Sequence, residues 1–222
     1  MLLCTYKKYK QEKRMYYLKE FVKAILGGMC IAFGGIAYIA VDNKVIGALF
    51  FTLGLYTICT FGFNLFTGKV CYVFENKPKY IFDVVIILFG NLIGTCLIGF
   101  LTRLTRIAND KFLEKAESLC QAKLNDNLLS IFILAVFCNI FIYIAVEEFK
   151  NNPHELGKYL GLFLGVAGFI LCGFEHVVAN MFYFSVAGEI FSLKTALYLI
   201  VMTLGNAVGA VIFPVIRKYV IK

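Results

Sequence analysis

The chain has 222 residues, 60% of them hydrophobic and 16% charged, with a net charge of +8. A soluble domain is roughly 45–50% apolar and ~25% charged, so the composition argues against a water-soluble globular enzyme. At about 20 apolar residues per crossing helix, the length supplies about six membrane spans with short connections and no second, soluble domain.

In chain order, residues 1–20 are polar and basic and read as a cytoplasmic amphipathic lead-in helix, not a signal peptide. Apolar runs follow at about Phe21–Val41, Val45–Phe74, Ile81–Leu101, Leu128–Val146, Lys158–Phe184 and Leu193–Val220. Polar punctuation separates them, including the long stretch Arg103–Asn127. Backbone polar groups in lipid must be satisfied within the segment, so each run is expected to be a helix. The fold class expected is therefore an all-α integral membrane protein, with residues 21–222 forming one transmembrane domain. With the N-terminus inside, fourteen Lys and Arg fall on inner segments and seven on outer ones, with Lys69 unassigned. That asymmetry places both termini in the cytoplasm. The basic residues gather at span ends, which accounts for the net charge without a nucleic-acid partner.

The second and fifth runs are longer than a bilayer needs, and each carries a polar interruption, Thr60–Gly68 and Gly173–Phe182. Interruptions at corresponding places in two halves point to a central substrate site. An internal repeat supports this. Asn64-Leu65-Phe66-Thr67 resembles Asn180-Met181-Phe182-Tyr183, and Gly90-Asn91-Leu92-Ile93-Gly94 resembles Gly205-Asn206-Ala207-Val208-Gly209. Each half, about 21–108 and 128–220, holds three spans. An odd number inverts the second half, giving six spans as two inverted three-helix repeats with broken second and fifth helices.

Glu175-His176 is the sharpest chemical feature, because ionisable residues deep in an apolar segment are costly and usually face a cavity or a partner. His176 can meet a permeating species and donate a proton or a hydrogen bond. Asn64, Asn91, Asn139, Asn180 and Asn206 are suited to satisfying backbone freed where helices break. The Thr67 hydroxyl can cap a half-helix or face the pathway. Lys123 reads from its own stretch as a solvated residue, and Lys69 as a side chain that snorkels to the interface. The eight cysteines include no Cys-x-x-Cys, and most read as small apolar packing residues. There is no Gly-x-Ser-x-Gly turn, His-Glu-x-x-His, Walker motif or dinucleotide glycine motif. The reading is of a non-enzyme that needs no cofactor or metal. An aquaporin-like channel for a neutral small solute is the alternative, although no Asn-Pro-Ala occurs.

Taken together, these motifs resemble the formate/nitrite transporter family. Gly173–Phe182 is similar to its fifth-span signature, Leu65-Phe66-Thr67-Gly68 to its second-span break, and the two Gly-Asn motifs to its third and sixth spans. Lys123 and Asn139 have the spacing of that family's vestibule lysine and fourth-span asparagine. The resemblance covers about residues 21–220. It implies an aquaporin-like protomer in a homopentamer in the inner, cytoplasmic membrane, in contact with membrane lipid. Each protomer would pass a small monovalent anion, or its conjugate weak acid, such as formate, nitrite or hydrosulfide. It further implies a substrate pathway through His176, Thr67, Lys123, Asn139, Asn180 and Glu175. Two apolar constrictions would be lined by Phe51, Leu55, Leu65, Ile142 and Phe169. Lys123 would attract anions at the outer vestibule. One departure stands out: Asn64 occupies the place before Leu-Phe-Thr where the family commonly has an acidic residue.

Overall fold

In the computed structural model, which describes residues 2–221 with side chains from Gln11, polar caps and glycine stops cut the apolar runs into helices. Helix α1 (Leu2–Ala40) is continuous through the lead-in and the first run. At 1.5 Å per residue its 39 residues span about 58 Å, far beyond a hydrocarbon core of ~30 Å. Asn43 accepts hydrogen bonds from the Val45 and Ile46 amides and starts α2 (Lys44–Phe61). Gly62, at φ 69°, stops it. After an extended stretch come the short α3 (Phe66–Lys69) and a 3₁₀ turn, Val70–Tyr72. Helix α4 (Tyr80–Arg103) follows.

The polar stretch 103–127, which the sequence presents as punctuation, contains a further amphipathic helix, α5 (Asp110–Leu124), capped by Asn109. It buries Phe112, Ala116, Cys120 and Leu124 at helical spacing, too few apolar residues for a span but enough for one packed face. Asn127 caps α6 (Leu128–Asn151). Helix α7 (Glu155–Leu171) ends at Cys172 and Gly173, where φ is 73°. Helix α8 (Val177–Ala187) restarts the chain, and α9 (Leu193–Ile216) is capped by Ser192 and closes in a π turn, Arg217–Ile221. Among the described residues the fold is all-helical, and five helices are long and apolar enough to cross a membrane. Large apolar side chains such as Phe50, Phe89, Leu164 and Ile200 lie exposed on the outside, as lipid-facing residues must.

Helix α1 packs along α4 and against α2, and α6 packs along α9 and against α7 in the same pattern. The half-helices cross over: α8 lies against α4, and α3 with its turn reaches α6 and α9. Close approach is allowed where a glycine faces backbone. A Cβ at Gly94 would strike the Ile25 carbonyl, and one at Gly209 the Val136 carbonyl.

Two buried asparagines make matching sets of hydrogen bonds, one set around each helix break. Asn91 Oδ1 accepts from the Phe66 amide (2.8 Å), and its Nδ2 donates to the carbonyls of Ala24 (2.7 Å) and Asn64 (2.9 Å). Asn206 Oδ1 accepts from the Val177 amide (2.9 Å), and its Nδ2 donates to Ala135 (2.7 Å) and Glu175 (2.9 Å). The counterpart of Asn64 is therefore Glu175, not Asn180. The motif pairing of Asn64 with Asn180 is corrected by one and a half helical turns, because bonding geometry rather than letter similarity relates the two breaks.

Candidate functional site

The two helix breaks bring one buried polar side chain each, Thr67 and His176, together inside the bundle. His176 is the N-cap of α8, and its Nδ1 accepts from the Ala179 amide at 3.1 Å. A ring nitrogen that accepts carries no proton, so the neutral imidazole holds its hydrogen on Nε2. Nε2 lies 2.9 Å from Thr67 Oγ1 and donates to it. The Thr67 hydroxyl keeps its own proton free to donate onward. Thr67 is fully buried and His176 is 2% exposed.

The ring of Phe169 stacks on His176 at 5.4 Å and meets Phe51 edge-on at 6.1 Å. Phe51 and Phe169 also line a cavity of about 280 Å³ that reaches His176 from the side of Lys44 and Lys123. A second cavity, about 120 Å³, opens from the other side and is lined by Leu55, Leu65, Val146, Lys69 and Lys150. The His176–Thr67 pair thus sits between two mouths, each closed off by apolar side chains. Ile142 is buried one turn before Val146 on α6. A cleft of about 540 Å³, lined by Tyr72, Glu147, Lys150 and Arg217, adjoins the second mouth and shares Lys150 with it.

The Glu175 carboxylate does not turn towards His176. Its Oε1 is 3.2 Å from Lys123 Nζ, and its Oε2 accepts from Asn180 Nδ2 at 2.6 Å. Lys123 projects from the last turn of α5, the helix that the sequence conceals. Both members of the ion pair are largely buried, with side-chain exposures of 12% and 5%, so each neutralises the other where water does little screening. Glu175 is thereby engaged by Lys123 and Asn180 rather than by the imidazole. Asn139 contributes from behind, donating to the Thr67 carbonyl at 2.9 Å, and its buried Oδ1 has no partner among the described residues. At the opposite break Asn64 donates to Glu20 Oε2 at 2.8 Å, and Glu20 pairs with Lys23 at 3.0 Å. Sequence reasoning missed Tyr38, Tyr183 and Asp126 at the first mouth and Lys150 at the second. Only the cation at the end of a span, Lys150, left a signal that could have been read.

The model of the family described as formate/nitrite transporter matches residues 3–220. The uncharacterized transporter YrhG of Bacillus subtilis is 30% identical, over 86% of this chain and 80% of that protein. The formate-nitrite transporter of Plasmodium falciparum is 28% identical, over 79% of this chain and 68% of that protein. A solved structure, a pentameric formate channel with formate bound, superimposes with a TM-score of 0.79 at 28% identity, covering 94% of this chain and 98% of that one. The relatives are channels and transporters, and five apolar helices make this chain a multi-pass membrane protein. A match over nearly the whole chain, shared break motifs and a common fold lead to one conclusion: the chain belongs to the formate/nitrite transporter family.

Proposed function

We propose that the protein is a channel for a small monovalent anion that crosses as its conjugate acid, with formate the first candidate and nitrite and hydrosulfide the others. The observation that carries this reading is the hydrogen-bonded His176–Thr67 pair held between two apolar closures. A bare anion at Phe51, Phe169, Leu55 or Leu65 would lose its hydration with nothing to replace it, whereas a neutral acid would not. Thr67 offers a hydroxyl donor at the centre, oriented by His176.

The hydrogen bonds favour a positioning role for His176. A neutral imidazole that gave up its Nε2 proton would become an anion in an apolar site. Carrying a second proton on Nδ1 would cost the ring its bond to Ala179 and leave that amide unpaired. In this reading the permeant takes its proton from water at the mouth, and His176 holds Thr67 in place. Lys123, matched by Glu175, acts on an anion at contact distance rather than as a long-range attractor.

The architecture that accompanies this function is six spans in two inverted repeats, α1–α4 and α6–α9. Helices α2 with α3, and α7 with α8, form the two broken crossings. The paired roles of Asn91 and Asn206 support it. Residues 1–20 are a cytoplasmic lead-in and 21–222 one channel domain, with both termini cytoplasmic in an inner membrane. The formate channel of similar fold is pentameric, and a homopentamer is proposed here.

The test is uptake of formate, nitrite, hydrosulfide, lactate and chloride into liposomes at pH 5.5 and 7.5. Weak-acid flux that rises in acid, with chloride excluded, is expected. His176→Phe should abolish that flux. His176→Asn, which can still cap α8 and hydrogen-bond, should retain part of it with its pH response. Equal chloride and formate rates would refute the reading. Loss of flux in His176→Asn as complete as in His176→Phe would move the proton to His176.

A further inference from the structure

We propose that Lys69 and Lys150 form the anion-capturing mouth of the pore, so that the two ends of the pathway hold small monovalent anions unequally. The inference rests on the channel reading above and adds which end gathers the substrate. At the Lys123 mouth, two cations, Lys44 and Lys123, face two carboxylates, Asp126 and Glu175. The mouth is locally neutral, and Lys123 is committed to Glu175 at 3.2 Å.

The other mouth is built differently. Its charged lining residues are Lys69, half-buried on α3, and Lys150, exposed at the end of α6. Neither makes an ion pair among the described residues. Two carboxylates at this end, Glu20 and Glu147, are already matched, while Glu75 lines the adjoining cleft with Lys150. Glu20 takes Lys23 and Asn64. Glu147 takes Arg217 at 2.9 Å and Tyr72 at 2.7 Å. Lys150 Nζ rests over the Tyr72 ring at 4.0 Å, which holds the ammonium in place without cancelling its charge.

The relation between the halves sharpens the contrast. Glu175 stands where Asn64 stands in the first half, and Asn180, five residues on, where Lys69 stands. One break thus carries a carboxylate and an amide, and the other an amide and a cation. The first neutralises its lysine, and the second adds one. A cleft of one charge sign with low-dielectric walls concentrates counter-ions by about 10-fold or more. A small anion therefore gathers beside Leu65, one residue from the half-helix that presents Thr67.

In a passive pathway, permeability at low concentration is the same from either face. The inequality therefore shows in the half-saturating concentration and not in the initial slope. The experiment measures zero-trans formate flux into liposomes sorted by protein orientation, from each face, at 10 mM and 1 M ionic strength. At 10 mM the Debye length is ~30 Å, and half-saturation is expected at a concentration about tenfold lower from the Lys69 face than from the Lys123 face. At 1 M, where it is ~3 Å, the difference should collapse. The Lys69→Gln/Lys150→Gln double variant should lose the difference at low salt, and Lys69→Arg/Lys150→Arg should keep it. Equal half-saturation from both faces in the wild type, or an asymmetry that survives the glutamine variant, overturns the proposal while leaving the channel reading intact. Absence of formate flux from either face overturns both.

Discussion

Replacing Thr67 by Val tests the centre of the pathway with almost no change of shape. Val removes the hydroxyl that accepts from His176 Nε2 at 2.9 Å and leaves the helix contacts of α3 in place. The permeant loses one donor. A hydrogen bond to a neutral acid is worth about 0.5–1.5 kcal/mol, and each ~1.4 kcal/mol is a factor of ten. Formate uptake should therefore fall about 2- to 12-fold. The buried Nε2–H is stranded as well, which costs about 1–3 kcal/mol of stability. Flux and thermal unfolding of the reconstituted protein must accordingly be read side by side. Thr67→Ser, which restores the hydroxyl, should return to near wild type. Threonine does not titrate, so the loss should be similar at pH 5.5 and 7.5. A Thr67→Val variant with uptake within twofold of wild type would refute the assignment of this hydroxyl to the pathway. A serine variant as impaired as valine would refute it equally.

Lys123→Met leaves Glu175 buried without its counter-charge and should destabilise the protein by about 3–5 kcal/mol. The double variant Lys123→Met/Glu175→Gln should recover most of that in a thermal or denaturant melt. Asn91→Leu or Asn206→Leu strands one amide and two carbonyls at a helix break. Either should collapse assembly in size-exclusion chromatography, at a cost of several kcal/mol. Leu65→Ala or Phe169→Ala removes bulk from one closure and should admit chloride, measured as a current across a planar bilayer. Burial pushes the Cys120 thiol of α5 up to about 12, so thiolate is scarce at neutral pH and reactivity rises only as pH climbs or the helix unfolds. Exposed Cys172 should react with an impermeant maleimide from the Lys123 face, and the side on which whole cells label reports the orientation.

The sequence alone determined the features that need no long-range geometry. Apolar runs of bilayer length, positive charge at their ends and two polar interruptions are local properties, and they suffice for a multi-pass helical channel interrupted within 60–68 and 173–182; the structure narrows the breaks to 62–65 and 172–176. His176 and Thr67 were legible because a polar residue inside an apolar run has few roles open to it. Contacts between distant segments were another matter. Helix α5 lay hidden because its apolar face is too narrow to read as a span, yet it delivers Lys123 to Glu175 across 52 residues of chain. The Glu175 carboxylate could have faced His176, a lipid or a lysine, and only packing chose the lysine. The correspondence between the halves was also decided in three dimensions. Asn91 and Asn206 find equivalent backbone groups whatever letters surround them, and that pairing sets Asn64 against Glu175. Composition counts charges, but only tertiary structure says which are paired, and unpaired charge is what an approaching anion feels.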